Sequence, residues 1–320
     1  MRRAKMHNVS ILIVGANGFV GGHLLKKFYD MGHVGVRCLI RRPSEAVNQL
    51  CRDVRIGDLR DKNSIRDIAK NIDVVFHLAT VGNINAVLPE EYEKYRLNNV
   101  TGTKNLLEEC VKGGVKKFIY FSSLAVYGSA KGPLITESMT CKPETPYEKT
   151  KYECEKLVEK FCGKHEISFS ILRPSAIYGR GGKSDIRRLA GFVKLGIIPI
   201  AGDGRNLVHV THVDDVIDAA VKASKAGKSG IYILNSESLP LNEIIEIVGK
   251  GRRIIKLKIP VSAIREFLRV LEPVLGAMGI APPISASRIE RFSSARTYSI
   301  KLAEKELGFK PRRHLKSSVY

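Results

Sequence analysis

The stretch Val9-Ser10-Ile11-Leu12-Ile13-Val14-Gly15-Ala16-Asn17-Gly18-Phe19-Val20-Gly21 constrains this chain more than any other. A strand-like apolar run enters a glycine-rich turn, and an amphipathic run, Gly18 to Met31, follows at once. That order is the first half of a strand–helix–strand unit. Each glycine answers a separate demand. Gly15 permits the tight turn, Gly18 lets a pyrophosphate approach the backbone, and Gly21 lets the helix pack on the strand. The turn and helix start, with Asn17, Phe19 and Val20 between the glycines, present amide donors and a positive dipole end to phosphates. We expect a dinucleotide to sit here.

The rest of the first half repeats the rhythm. Strands are expected at 34–40, 54–56, 73–78, 117–121 and 167–172, and helices at 18–31, 62–70, 89–111 and 146–165. Strands alternating with helices imply parallel pairing through right-handed crossovers, hence an α/β, doubly wound sheet. After Pro174 glycine, proline and charge become frequent, and helices dominate from Asn242 onward. This predicts residues 1–175 with 212–238 as a dinucleotide-binding domain. Residues 176–211 with 239–320 would form a smaller, mostly helical substrate-binding domain.

Composition excludes several classes. With 44% apolar and 27% charged residues in 320, the chain is neither disordered nor collagen-like. No window approaches the ~20 apolar residues of a membrane span. Met1 to Ser10 lacks the apolar stretch of a signal peptide. The 6 cysteines form no CxxC pair, so reduced and partly buried thiols in a cytoplasmic protein are expected. The net charge of +21 favours anionic partners, but it is spread along the chain and reads as a solvated basic surface.

The second strand ends in Ile40-Arg41-Arg42-Pro43. An NAD site usually places Asp or Glu there to bind the ribose 2′-hydroxyl. Arg41 and Arg42 can instead pair with a 2′-phosphate, which favours NADP, with NAD as the alternative. Asp58, in Gly57-Asp58-Leu59, either accepts from the adenine amino group or caps the next helix.

The strand Phe118 to Phe121 ends in Ser122-Ser123, and downstream lies Thr145-Pro146-Tyr147-Glu148-Lys149-Thr150-Lys151. Tyr147 and Lys151 share one helical face. An unperturbed phenol, with a pKa of ~10, is a poor base at neutral pH. A nearby ammonium, with oxidised nicotinamide, should lower that value, so the phenol can exchange a proton with a substrate hydroxyl while hydride moves to or from a nicotinamide. A serine hydroxyl can hold the same oxygen. The YxxxK spacing also occurs at Tyr127/Lys131 and Tyr152/Lys156. Tyr127 is followed by Gly128, Gly132 and Pro133, which argues against a helix there. Tyr152 lies roughly 140° around the helix from Tyr147 and reads as a packing or surface residue. Tyr147, just after Pro146 in the first turn, is the one expected to face a cleft.

Taken in order, GANGFVG, GDL, HLAT, NNVTGTKNLLE, SSLAVYG, YEKTK, LRPSAIYG and HVDDV cover most of the chain. The set resembles the extended short-chain dehydrogenase/reductase family, the group of Rossmann-type nucleotide-sugar epimerases and dehydratases. The resemblance implies a catalytic Ser123/Tyr147/Lys151 triad in which Ser123 orients the substrate oxygen, Tyr147 is the acid/base and Lys151 also holds the nicotinamide ribose. It further implies Leu59, Leu78, Ala79, Asn99, Ser122 and Pro174 around the cofactor, and a homodimer through helices 89–111 and 146–165.

Three departures narrow the activity. Leu124 and Ala125 stand where the dehydratases of the family carry an Asp-Glu pair, so dehydration is not expected. Ala176 replaces an Asn that contacts nucleotide sugars. Arg41 resembles NADP-dependent ketone reductases and the 3β-hydroxysteroid dehydrogenase-like branch. An epimerase or reductase of a nucleotide sugar leads, and a reductase or dehydrogenase of a less polar ketone or alcohol is the alternative. A regulator of another class, binding dinucleotide without turnover and a macromolecule through its basic surface, is disfavoured by the intact triad. Nucleic acid is not expected as a partner. His209 and His212, near Asp214 and Asp215, have metal-like spacing but no third ligand; Thr211 is expected instead to cap a helix over 212–226. Ile264 to Leu275 has helical apolar spacing, with a kink expected at Pro273. It reads as a helix covering the substrate domain in preference to one touching a membrane.

Overall fold

Ile11–Val14 forms β1, fully buried, and Phe19–Asp30 forms α1. The computed structural model describes residues 9–82, 90–130, 132–182, 185–277 and 296–318. Residues 1–8, Lys131 and the expectations that fall on them lie outside the described residues. Along the chain follow β2 (Val36–Ile40), α2 (Glu45–Asn48), β3 (Asp53–Ile56), β4 (Val74–His77) and α3 (Glu90–Arg96). A π-helical turn, Leu97–Thr101, joins α3 to α4 (Gly102–Gly113). Then come β5 (Lys117–Phe121), β6 (Leu134–Ile135), α5 (Pro146–Lys164), β7 (Ser168–Pro174), β8 (Ala176–Tyr178) and α6 (Asp185–Lys194). The remainder holds β9 (Ile197–Ala201), β10 (Leu207–His212), α7 (Val213–Ala223), β11 (Gly230–Leu234), β12 (Glu237–Pro240) and α8 (Leu241–Gly249). β13 (Ile255–Ile259) and α9 (Val261–Ala277) complete it, before a short strand and two short helices near the C-terminus.

Seven strands make the central sheet in the order β11-β7-β5-β4-β1-β2-β3, every pair parallel. Strand order reverses between β1 and β4. In such a sheet the crevice beyond the carboxyl ends at that reversal is the natural ligand site. Apolar side chains fill both faces. One cluster packs α1 and α7 on the sheet through Leu24, Phe28, Val216 and Ala220. The other packs α4 and α5 through Leu106, Leu107, Cys154 and Val158. All six cysteines are free, as expected, and buried. No described helix is long and apolar enough to cross a membrane.

Two expectations are corrected, and two are refined. Residues 62–70 form successive turns: Asp67 and Asn71 adopt left-handed backbone angles of 59° and 61°, which interrupt helical hydrogen bonding. Ile65, Ile68 and Ala69 are nevertheless buried, which explains the apolar pattern. The helix expected over 89–111 is present as α3, the π turn and α4 in unbroken succession, and the π turn at Leu97–Thr101 re-aims Asn99. Thr211 does not cap α7; His212 does, its ring nitrogen accepting from the Asp214 N–H at 3.2 Å. The Thr211 hydroxyl instead ties Ser175 to the Leu234 carbonyl, at 2.7 and 3.0 Å. The helix expected over 264–275 lies within α9, which runs through Pro273; Leu268 is buried and Ile264, Leu271 and Leu275 are half-buried, while Phe267, Val270 and Val274 are exposed.

The second half is richer in strands than its sequence suggested. Beside α6, α8 and α9 it holds a β12-β10-β8 sheet and a parallel β13-β9 pair. Val193, Ile198, Ile200, Ile244 and Val248 share a separate apolar cluster there.

Candidate active site

A cleft opens at the carboxyl ends of β1, β2, β3 and β4. Its lining brings together Gly15, Asn17, Gly18, Arg41, Asp58, Leu59, Leu78, Ala79 and Asn99, all expected from the sequence. Gly21 lies just behind: a Cβ there would stand 2.2 Å from the Gly15 carbonyl oxygen, so helix and turn meet only because it is glycine. Helix α1 starts after Gly18 with no side-chain cap, leaving the Phe19, Val20 and Gly21 amides in its first turn for an anion. Arg42 is exposed on the bend after β2 and is not part of the lining. Ser122 and Pro174 also stand outside it, at the ends of β5 and β7.

Asp58 neither starts a helix nor stands alone. Its carboxylate accepts from the Arg60 N–H at 3.0 Å and from the Arg60 guanidinium at 2.7 to 3.1 Å. Arg60 thereby holds its carboxyl below the usual range, with a smaller pull from Arg41. Arg60 was not anticipated; a two-residue offset in a loop leaves no periodic signature.

The catalytic candidates sit at the far side of this cleft. Thr145 and Glu148 form a reciprocal capping box with Pro146 in the first turn, which fixes where α5 begins. Tyr147 follows, half-buried, its ring against Gly82. A Cβ on Gly82 would come within 2.8 Å of that ring, and Gly82 has φ 146°, so only glycine fits. Val81, the residue before it, lines the cleft. Ser123 opens a 3-10 turn, Leu124–Tyr127, its hydroxyl accepting from the Ala125 N–H at 3.1 Å, and it stands close enough to the Tyr147 phenol to influence its titration. Lys151, one turn along α5, is buried; its ammonium donates to the Phe121 carbonyl at 2.7 Å and lies 5.0 Å from the Tyr120 ring centre. Tyr152 packs elsewhere, beside Lys156, as expected.

The expectation that a nearby ammonium lowers the Tyr147 pKa is not met by the protein's own groups. Burial pushes the phenol up to about 12, against a smaller opposing pull from Ser123. Burial likewise pushes Lys151 down to about 8. Both shifts favour the neutral form in a dry site.

Two supporting networks escaped the sequence reading. Asn99 accepts from the Val81 N–H at 2.8 Å and donates to the Val81 carbonyl at 2.7 Å and to Thr150 Oγ1 at 3.2 Å. The Thr150 hydroxyl donates in turn to the Tyr147 carbonyl at 3.1 Å. Asn99 therefore shapes the cleft wall and ties it to the turn that carries Tyr147. Deeper, Arg173 donates to Glu155 through two bonds of 2.9 and 2.6 Å and to the Tyr127 hydroxyl at 2.7 Å. All three are buried, locking the 3-10 turn, α5 and β7 together. His209 and His212 hold Ser238 and the start of α7 respectively.

The glycine cradle, the uncapped helix start and the buried Ser122 hydroxyl, which has no protein partner, fit a nicotinamide dinucleotide along this cleft. Comparisons agree. The model of the family "NAD dependent epimerase/dehydratase family" matches residues 11–234. The chain is 30% identical to 3beta-hydroxysteroid-dehydrogenase/decarboxylase isoform 2 of Arabidopsis thaliana, over 94% of this chain but 59% of that protein's length. It is 28% identical to 2-alkyl-3-oxoalkanoate reductase of Stenotrophomonas maltophilia, over 95% of both chains. Among solved structures, MoeE5 in complex with UDP-glucose and NAD superposes with a TM-score of 0.74 at 26% identity, over 97% of this chain and 96% of that one.

Proposed function

The chain belongs to the NAD dependent epimerase/dehydratase family, of the extended short-chain dehydrogenase/reductase type, and from that premise we propose that it transfers hydride at a secondary alcohol or ketone carbon. One observation carries this reading: Ser123 stands close enough to the Tyr147 phenol to favour its ionised form, and Tyr147 lies one helical turn before buried Lys151. When bound, the dinucleotide gives or takes the hydride. Gly15, Gly18 and the first amides of α1 would hold its phosphates, and Ser122 and Lys151 its nicotinamide end. Ser123 holds the substrate oxygen, and Tyr147 gives it a proton or removes one. A phenol shifted up to about 12 is protonated at neutral pH, which suits donation to an oxygen gaining negative charge.

Arg41 at the cleft rim, with Asp58 already neutralised by Arg60, supports NADP over NAD. A cytoplasmic homodimer through α3–α4 and α5 belongs to the same reading.

The substrate we favour is the less polar one. The relatives named for 3β-hydroxysteroids and 3-oxoalkanoates support it, as does Ala176. A nucleotide sugar is the second reading, favoured by the likeness to MoeE5, and leading on sequence alone. The test is purified protein with each nicotinamide form against 3-hydroxysteroids, 3-oxoalkanoates and UDP-sugars. Nicotinamide absorbance follows net redox, and chromatography follows epimerised product. Net redox on an apolar substrate supports the first reading. Epimerised UDP-sugar with no net redox overturns it in favour of the second.

A further inference from the structure

In β13 the sequence Ile255-Lys256-Leu257-Lys258-Ile259 alternates, so one face is apolar and the other basic. A strand on the surface of a water-soluble domain normally turns its apolar face to the core. Here the pairing does the reverse. Ile255, Leu257 and Ile259 point outward, 55%, 50% and 37% exposed. They lie in register with Ile197, Pro199 and Ala201 of β9, and Ile197 is exposed too. The inward side is where Ile198 and Ile200 are buried, and there Lys256 bonds Glu246 at 3.1 Å. A slip of one residue would exchange the faces, so this register commits the apolar side to the outside.

Helix α9 follows directly in the chain and carries exposed apolar side chains of its own. Phe267 and Val270 are 65% and 72% exposed, although Leu268 between them is buried. The flanks are cationic: Lys250, Arg252 and Arg253 are exposed, with Arg265 and Arg269 on α9. Glu266 lies within ion-pair distance of both of those arginines, at 3.7 and 3.6 Å. Exposed apolar side chains rimmed by arginine and lysine match a bilayer whose headgroups are anionic, where the apolar groups enter the interfacial layer and the cations meet phosphates. A second copy docking by two-fold symmetry would place the same cations against each other, which disfavours self-association through this face.

We propose that the outward face of β9–β13, together with α9, docks this protein on anionic membrane surfaces. The proposal stands on that surface alone and is independent of the substrate.

The test is sedimentation of the full-length protein with phosphatidylcholine vesicles, with and without phosphatidylglycerol. Expected is binding to the anionic vesicles only, weakened ~10-fold or more by raising salt from low to physiological. Phe267→Ser/Val270→Ser and, separately, Arg252→Glu/Arg253→Glu should each abolish it. Circular dichroism and the melting temperature identify correctly folded variants, and Leu257→Ser is a second probe on the sheet should α9 variants not fold. Failure to bind anionic vesicles, or binding that survives all folded variants, overturns the proposal. So does analytical ultracentrifugation in which Phe267→Ser/Val270→Ser converts a dimer to monomer, or binding of an acidic protein that the same variants lose while vesicle binding is absent.

Discussion

Asn99 donates to Thr150 across 3.2 Å, joining a side chain on a π-helical turn to the first turn of α5. Because Asn99 also grips both backbone polar groups of Val81, it holds the cleft wall at a fixed distance from Tyr147. Asn99→Ala strands those buried groups. We expect a loss of about 2–4 kcal/mol in stability, read from urea unfolding. In the folded fraction the fall in kcat should exceed any rise in KM for substrate. An unchanged melting temperature contradicts this role.

Arg173 and Glu155 form a fully buried ion pair. Removing one partner leaves an unpaired buried charge, so Arg173→Met alone should cost about 3–5 kcal/mol. Arg173→Met combined with Glu155→Leu should cost clearly less than the sum of the single changes. Additive losses, measured by denaturant titration in a double-mutant cycle, contradict the pairing.

Much of this site is legible in the sequence, and what is not has identifiable causes. The glycine turn and the choice of Tyr147 over Tyr152 follow from fixed helical and turn geometry. Asn99 was placed near the cofactor through family likeness, but its bridging role depends on a π turn, and the apolar periodicity of 89–111 runs on regardless. The Arg173–Glu155 pair joins residues on separate elements, which no local pattern reveals. The turns at 62–70 keep buried isoleucines at helical spacing, so periodicity alone misassigns them. For β13, alternation shows two faces but not which one points outward; the register with β9 decides that.

Arg41 stands at the rim where a 2′-phosphate would lie. Arg41→Ala should weaken NADPH binding ~10-fold and leave NADH binding within about 2-fold, by fluorescence titration. Equal losses for both cofactors contradict a phosphate-reading role.

Lys151 gives a pH signature. Its folded pKa lies near 8 against an ordinary 10.5, so below pH 8 the fold carries the full cost of a buried ammonium. Between about pH 8 and 10.5 the unfolded chain binds more protons than the native one, and stability rises with pH from this group. Relative to Lys151→Met, the wild type should gain about 2–3 kcal/mol between pH 7 and pH 10. Tyr147 acts oppositely and later: raised to about 12, it stabilises below pH 10 and loses that contribution between 10 and 12. Urea midpoints of both proteins across this range check it. A difference that does not change with pH contradicts a buried, charged Lys151.

The central claim is that Tyr147 exchanges the proton while hydride moves. The most direct measurement is nicotinamide-linked turnover of the wild type and Tyr147→Phe on a substrate the wild type accepts, with dinucleotide affinity measured in parallel. We expect turnover to fall ~10²–10⁴-fold while dinucleotide affinity and melting temperature stay close to wild type. Wild-type turnover in Tyr147→Phe would contradict the account.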